Sequence, residues 1–322
     1  MRRRVLIVGI SGAIVACPTA VAAQEPGRVY VLAFLVPVAR NSPGVLAFLD
    51  ELRINGFTEG QNLRVLPDGF EVGGEQIAAL ASSLVAARPD VILTGGDLAT
   101  RAVLRDRPTP PIVAVAEDLV ASGFAESLKR PGGNTTGVNL MSAELDTKRL
   151  SLLLEALPKV RRVGVLADTS ITPERHLLAL KSVSSSRAEM VVIGVSAADQ
   201  IVATIDRAKA SGVEAINVLS SPLLYLNRQT IYDRVASLRL PTIYQWPEMA
   251  AEGGFMAYGP RFVQLFRQRA RIAAKILRGA KAADIPVEQP TNVELAINLR
   301  TARALRLTVP PTLLARAAEL IE

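Results

Sequence analysis

Asp90-Val91-Ile92-Leu93-Thr94-Gly95-Gly96-Asp97 decides the fold. A short apolar, β-branched run bounded by paired glycines reads as a buried strand rather than a helix. An acidic residue directly after the glycines fits the start of a helix. The unit is therefore strand, sharp turn, helix.

The same unit recurs to either side. Val29–Val36 predicts a strand, followed by Ser42 as an N-cap and Pro43 at the first helical position. Val45, Leu46, Leu49 and Leu52 line one face of that helix, and Gly56 stops it. Strands are expected at Asn62–Leu66, Pro111–Ala116 and Thr136–Leu140, with helices at Gln76–Ala87, from Asp97, and at Ser122–Lys129. The pattern then restarts. Strands are expected at Arg162–Ala167, Met190–Val195, Glu214–Leu219, Thr242–Tyr244, Gly254–Ala257 and Asn292–Asn298. Helices fall at Ala143–Leu157, from Thr172-Pro173, and at Ala197–Ala210, Leu224–Leu238 and Arg261–Leu277, with further helices ending the chain. Doubly buried strands alternating with helices mean parallel α/β. Two runs of roughly five strands imply two Rossmann-like parallel-sheet lobes around a central cleft. The expected division is 28–140 plus 259–290 against 141–258 plus 291–322.

Residues 1–23 read as a secretory signal peptide. Arg2, Arg3 and Arg4 precede the uncharged run Val5–Ala16, and Ala20-Val21-Ala22-Ala23 offers a cleavage site. The run is too short to span a bilayer, which takes about 20 residues. The expected location is the periplasm. Ile14-Val15-Ala16-Cys17 also resembles a relaxed lipoprotein box, so a lipid anchor on Cys17 is the alternative to cleavage after Ala23. Losing the three arginines lowers the formal charge from +7 to +4 (37 basic residues less three, against 30 acidic). The remaining cations are scattered, which excludes the clustered footprint of a nucleic-acid binder. Without Cys17 the mature chain has no cysteine, and His176 is the sole histidine. No disulfide, zinc site or metal is expected, nor Ser-His-Asp catalysis. His176 is read as a surface or packing residue.

In open parallel sheets ligands bind beyond the carboxyl ends of the strands. Those positions hold Asn41 and Ser42, Thr94, Gly95 and Gly96, Glu117 and Asp118, Asn139, then Asp168-Thr169-Ser170, Ser220-Ser221 and Tyr244-Gln245-Trp246. The ligand-binding candidates among them are Asn41, Ser42, Thr94, Gly95, Asp118, Asn139, Ser220 and Tyr244. Hydroxyls and helix N-terminal amides suit a carboxylate, a buried acid suits an ammonium, and Tyr244 or Trp246 suits a flat apolar group. Each also has a plain structural reading: Ser42, Asp97 and Thr172 as N-caps, the glycines as a turn, Trp246 as core. Asp118 stands out because no cap role claims it. Glu117 and Asp118, being adjacent in an extended segment, point to opposite sides. No G-x-S-x-G elbow, P-loop or strand-linked G-x-G-x-x-G is present in the sequence.

Several segments carry a resemblance. Gly56-Phe57-Thr58-Glu59-Gly60-Gln61-Asn62, Arg130-Pro131-Gly132-Gly133-Asn134-Thr135-Thr136-Gly137 and Ala251-Glu252-Gly253-Gly254 through Tyr258-Gly259-Pro260 are three of them. Asp284–Pro290, Asn298–Ala302 and Leu314–Glu322 complete the set. Together they resemble the tryptophan/tyrosine-type family of ABC-transporter substrate-binding proteins. The resemblance implies a type I periplasmic-binding-protein-like fold and a non-enzymatic role without cofactor. It also implies a monomer that delivers a small ligand, an amino acid or aromatic compound, to ABC permease subunits. By segment, the resemblance places the family's cleft at the loop after the first strand, the Thr94-Gly95 loop, the Asp118 loop, and the second-lobe loops near Ser220 and Tyr244. Arg306, where the family has glycine, and Leu119, where it often has proline, are departures. A periplasmic sensor without a permease, and a secreted α/β enzyme, are the competing readings.

Overall fold

The computed structural model describes residues 27–322; the leader and Cys17 lie outside the described residues. Five strands form the first sheet: β1 (Tyr30–Leu35), β2 (Leu63–Val65), β3 (Val91–Gly95), β4 (Ile112–Ala116) and β5 (Thr135–Asn139). Their order is β2-β1-β3-β4-β5, and every pairing is parallel. The second sheet holds β6 (Arg162–Asp168), β7 (Glu189–Val195), β8 (Ala215–Val218), β9 (Thr242–Tyr244), β10 (Met256–Gly259), β11 (Glu294–Asn298) and β12 (Glu319–Ile321). Its order is β12-β11-β10-β9-β8-β6-β7, with only β10 and β11 antiparallel.

Both faces of the central strands are buried, as a parallel sheet requires. In β1, Leu32 and Phe34 pack with Val45, Phe48 and Leu52, while Ala33 and Leu35 pack with Ala81, Leu84 and Val103 on the other side. The period-2 alternation thus feeds two helical layers from one strand. Ser42 caps the first helix, Pro43–Ile54, as expected, with its hydroxyl accepting from the Val45 amide.

The chain passes between the sheets three times: at Leu140-Met141, at Pro260-Arg261, and between Glu288 and Glu294. The long helix Phe262–Leu277 follows the second sheet's β10 but packs on Pro43–Ile54 of the first. Glu288 bridges back to Val138 of β5 before the last crossing. Met141, at the first crossing, holds a left-handed backbone (φ 53°), a costly conformation for a side chain of its size.

Some expectations fail locally. Ser122–Lys129 is a series of turns, not a helix. Gly123 is left-handed there (φ 75°), and Phe124 and Ala125 are drawn into the core. Leu224–Leu238 divides at Asn227 into Pro222–Leu226 and Arg228–Ser237. The expected C-terminal helices form at Leu299–Ala304 and Pro311–Leu314, and beyond them β12 is an added strand that pairs with the edge left by β11. Asp97 and Thr172 are not N-caps; Gly96 and Pro173 occupy those positions.

Candidate functional site

The carboxyl ends of β3, β4 and β5 face those of β8 and β9 across a cleft with two adjoining compartments. Val36, Val38, Tyr225, Trp246, Phe262 and Phe266 line the first. Phe262 is its hub. It stacks on Tyr225 at 5.4 Å (interplanar angle 23°) and tilts against Trp246 at 5.3 Å and Phe266 at 4.9 Å. Phe262 and Phe266 sit on the helix of the first lobe, Trp246 and Tyr225 in the second. The free space left is about 70 Å³, room for a few waters. The second compartment is polar and larger, about 930 Å³. Its lining includes Arg101, Asp118, Asn139, Ser142 and His176, with Asp97, Glu117, Ile171 and Ser220 shared by both.

Most of these polar groups are already engaged. Asp97 accepts from the Glu117 amide (3.1 Å) and the Ser122 hydroxyl (2.5 Å), which ties the end of β4 to the helix after β3. Asn139 Oδ1 accepts from the Leu119 amide at 2.7 Å. Asp168 accepts from Ser170 and from the Ser221 hydroxyl. Below the polar compartment, Arg149 is buried and donates to Asp146 and to the Tyr258 carbonyl. His176 Nε2 lies 3.2 Å from Asp146 Oδ2. The histidine is thus a buried packing residue.

Glu117 differs. It is half-buried at the junction of the compartments, and among the described residues no arginine or lysine pairs with it. Burial pushes its carboxyl up to about 7, and the charges of Asp146 and Asp97 push the same way. A hydrogen bond from Ser142 and the nearby His176 oppose the rise only in part. Such a group gains most from a cation brought to it.

The eight sequence candidates divide evenly. Gly95, Asp118, Asn139 and Ser220 line the cleft. Asn41, Ser42, Thr94 and Tyr244 line neither compartment. Ser42 is a helix cap. Thr94 is buried, its hydroxyl 2.7 Å from that of Thr100. Tyr244 is buried edge-on to Tyr232, inside the core. Asp118 is exposed, and its Oδ1 accepts from the Val120 and Ala121 amides, both at 3.0 Å. It therefore has a cap role, contrary to the expectation from sequence. Glu117 faces inward and Asp118 outward, the opposition that their adjacency predicts. Phe262, Phe266 and Arg269 lie on the helix that follows β10, Phe262 as its first residue, beyond a strand end at Gly259 that the sequence reading did not count among the ligand loops. Successive turns of that helix carrying Phe262, Phe266 and Arg269 on one face were the available signal.

Solved structures share this architecture. A conserved domain protein from Vibrio cholerae O1 biovar eltor str. N16961 superposes with TM-score 0.81 at 22% identity, covering 91% of this chain and 99% of that one. The ABC domain in complex with L-Trp from Streptococcus pneumonia gives TM-score 0.80 at 20% identity, covering 91% and 100%. More distant neighbours are type I periplasmic-binding-protein-like, and the fold is of that kind. In sequence, a Tyrosine-binding protein of Clostridioides difficile (strain R20291) is 26% identical over 265 residues, 80% of this chain and 75% of that protein. The family model for ABC transporter substrate binding proteins matches residues 39–321, and the chain belongs to that family.

Proposed function

We propose that this protein captures an aromatic α-amino acid outside the cytoplasm and presents it to ABC permease subunits. The observation that carries the reading is the cleft itself: rings from both lobes meet beside an acid without a cationic partner. As the lobes part the rings separate, a flat side chain takes its place among Trp246, Phe262 and Phe266, and its ammonium lies against Glu117. Contacts to both lobes favour the closed state, so ligand and hinge closure are linked. The tyrosine-binding relative and the L-Trp complex among the structural neighbours support the same class of ligand. The lobes are 28–140 with 259–290, and 141–258 with 291–322, hinged at the three crossings. The protein is monomeric, binds its ligand without chemistry and works in the periplasm. The mass of the exported chain distinguishes a start at Gln24 from a lipidated Cys17.

A thermal-shift screen tests the ligand class, since a ligand that binds only the folded state raises the melting temperature. Tryptophan, tyrosine and phenylalanine are expected to raise it and sugars to leave it unchanged. A response confined to sugars or aliphatic amino acids would refute the aromatic reading.

A further inference from the structure

The described residues include two fully buried arginines, and they are provided for differently. Arg149 is paired with Asp146. Arg269 lines the aromatic compartment and is 1% exposed, yet among the described residues no carboxylate lies within ion-pair distance of it. Its Nη2 donates to the carbonyls of Thr94 (2.8 Å) and Val113 (3.2 Å), and the Phe266 ring lies 5.3 Å from the guanidinium. Nε has no partner among these residues. Guanidinium carries five donors in a fixed fork, and two carbonyls engage only part of it. Burial draws its pKa down to about 9, which leaves it cationic at neutral pH. A buried ion without a counter-ion is costly, and two carbonyls alone could be held by an uncharged donor. A neighbouring wall of rings offers no anion. The ligand does.

We propose that Arg269 is the anion-recognition residue of the cleft and takes the carboxylate of the captured ligand. This rests on the cleft being the ligand site, but not on the ligand being aromatic. Arg269 and Glu117 then set the charge pattern that the cleft accepts: an anion on the aromatic side and a cation at the junction. A ligand with both is bound at both ends, and one lacking the carboxylate leaves Arg269 uncompensated.

Calorimetric titration of the exported protein with tryptophan, indole-3-propionate and tryptamine separates the two ends. Wild type should bind the two carboxylates about 100-fold tighter than tryptamine. Arg269→Met should weaken both carboxylates by about 100-fold and leave tryptamine within about 3-fold. Arg269→Lys, which keeps the charge, should retain part of the preference. Equal losses for all three ligands would reduce Arg269 to a structural strut and overturn the proposal. So would a wild type that binds tryptamine as tightly as tryptophan, whether or not either variant folds. If wild type ignores every indole ligand, the aromatic reading falls and Arg269 is decided by acetate. Sodium acetate should then raise the melting temperature of wild type above that in chloride of equal ionic strength, and not that of Arg269→Met. An equal response would overturn it.

Discussion

The two compartments of the cleft share Asp97, Glu117, Ile171 and Ser220, yet they are built by opposite means. In the aromatic one, rings from different lobes touch through dispersion, and the Phe262 amide donates to Glu248 Oε1 (3.1 Å) across the same seam. In the polar one, nearly every side chain is held by its own lobe: Asp97 by Ser122, Asp118 by two amides, Asn139 by Leu119. The polar groups look like a binding site and serve mainly as scaffold. The groups left without an ion-pair partner among the described residues, Glu117 and Arg269, are those a ligand can use.

The sharpest way to break this contrast is to attack the scaffold. Asp146→Ala leaves Arg149 buried without its partner and should cost about 3–5 kcal/mol of folding stability, read by urea denaturation. An intact protein would mean that Arg149 is held by the Tyr258 carbonyl alone. Next comes the aromatic side. Phe262→Ala removes the ring that joins the lobes and should weaken an aromatic ligand by about 30-fold, with the polar compartment unaltered. Calorimetry showing unchanged affinity would remove the ring wall from the site.

Glu117 sharpens the comparison through pH. Its carboxyl is raised to about 7 in the folded protein, so the ligand-free fold favours the protonated form. That contribution to stability is full below the ordinary glutamate range and fades as pH rises through about 7. An ammonium ligand needs the charged form instead. Affinity should therefore climb by up to about tenfold per unit as pH approaches 7, then level, while Glu117→Gln shows neither slope. A pH-independent wild type would disconnect Glu117 from the ligand. Asp118→Ala is expected to do least. It removes a cap from an exposed turn, about 1 kcal/mol of stability, and changes affinity by less than about 3-fold. A large loss of affinity would restore Asp118 to the site and show that the outward carboxylate, not the inward one, meets the ligand.

The α/β lobes were legible because the central strands are buried on both faces, so apolar β-branched runs marked them directly. The cleft was half legible. Strand-end rules picked Gly95, Asn139 and Ser220, which line the cleft because their positions depend only on the sheets. They misjudged Tyr244, since a residue at a strand end can still point into the core. They ranked Asp118 over Glu117 because a capping hydrogen bond to amides two and three residues on leaves no mark in composition. Phe262 and Arg269 escaped because the chain crosses between lobes before their helix begins, and only the packing of Phe262–Leu277 on Pro43–Ile54 returns them to the cleft.

Trp246 is the sole tryptophan of the whole chain, and it sits against Phe262 at the seam between the lobes. The protein therefore carries its own optical reporter. Opening the cleft moves the indole from a buried ring cluster toward bulk water, and closing it reverses the change. With tyrosine as ligand, excited clear of tyrosine absorption, the emission of the unlabelled protein follows hinge motion at a single defined position. It turns a static wall into a signal with which the rates of capture and release can be timed.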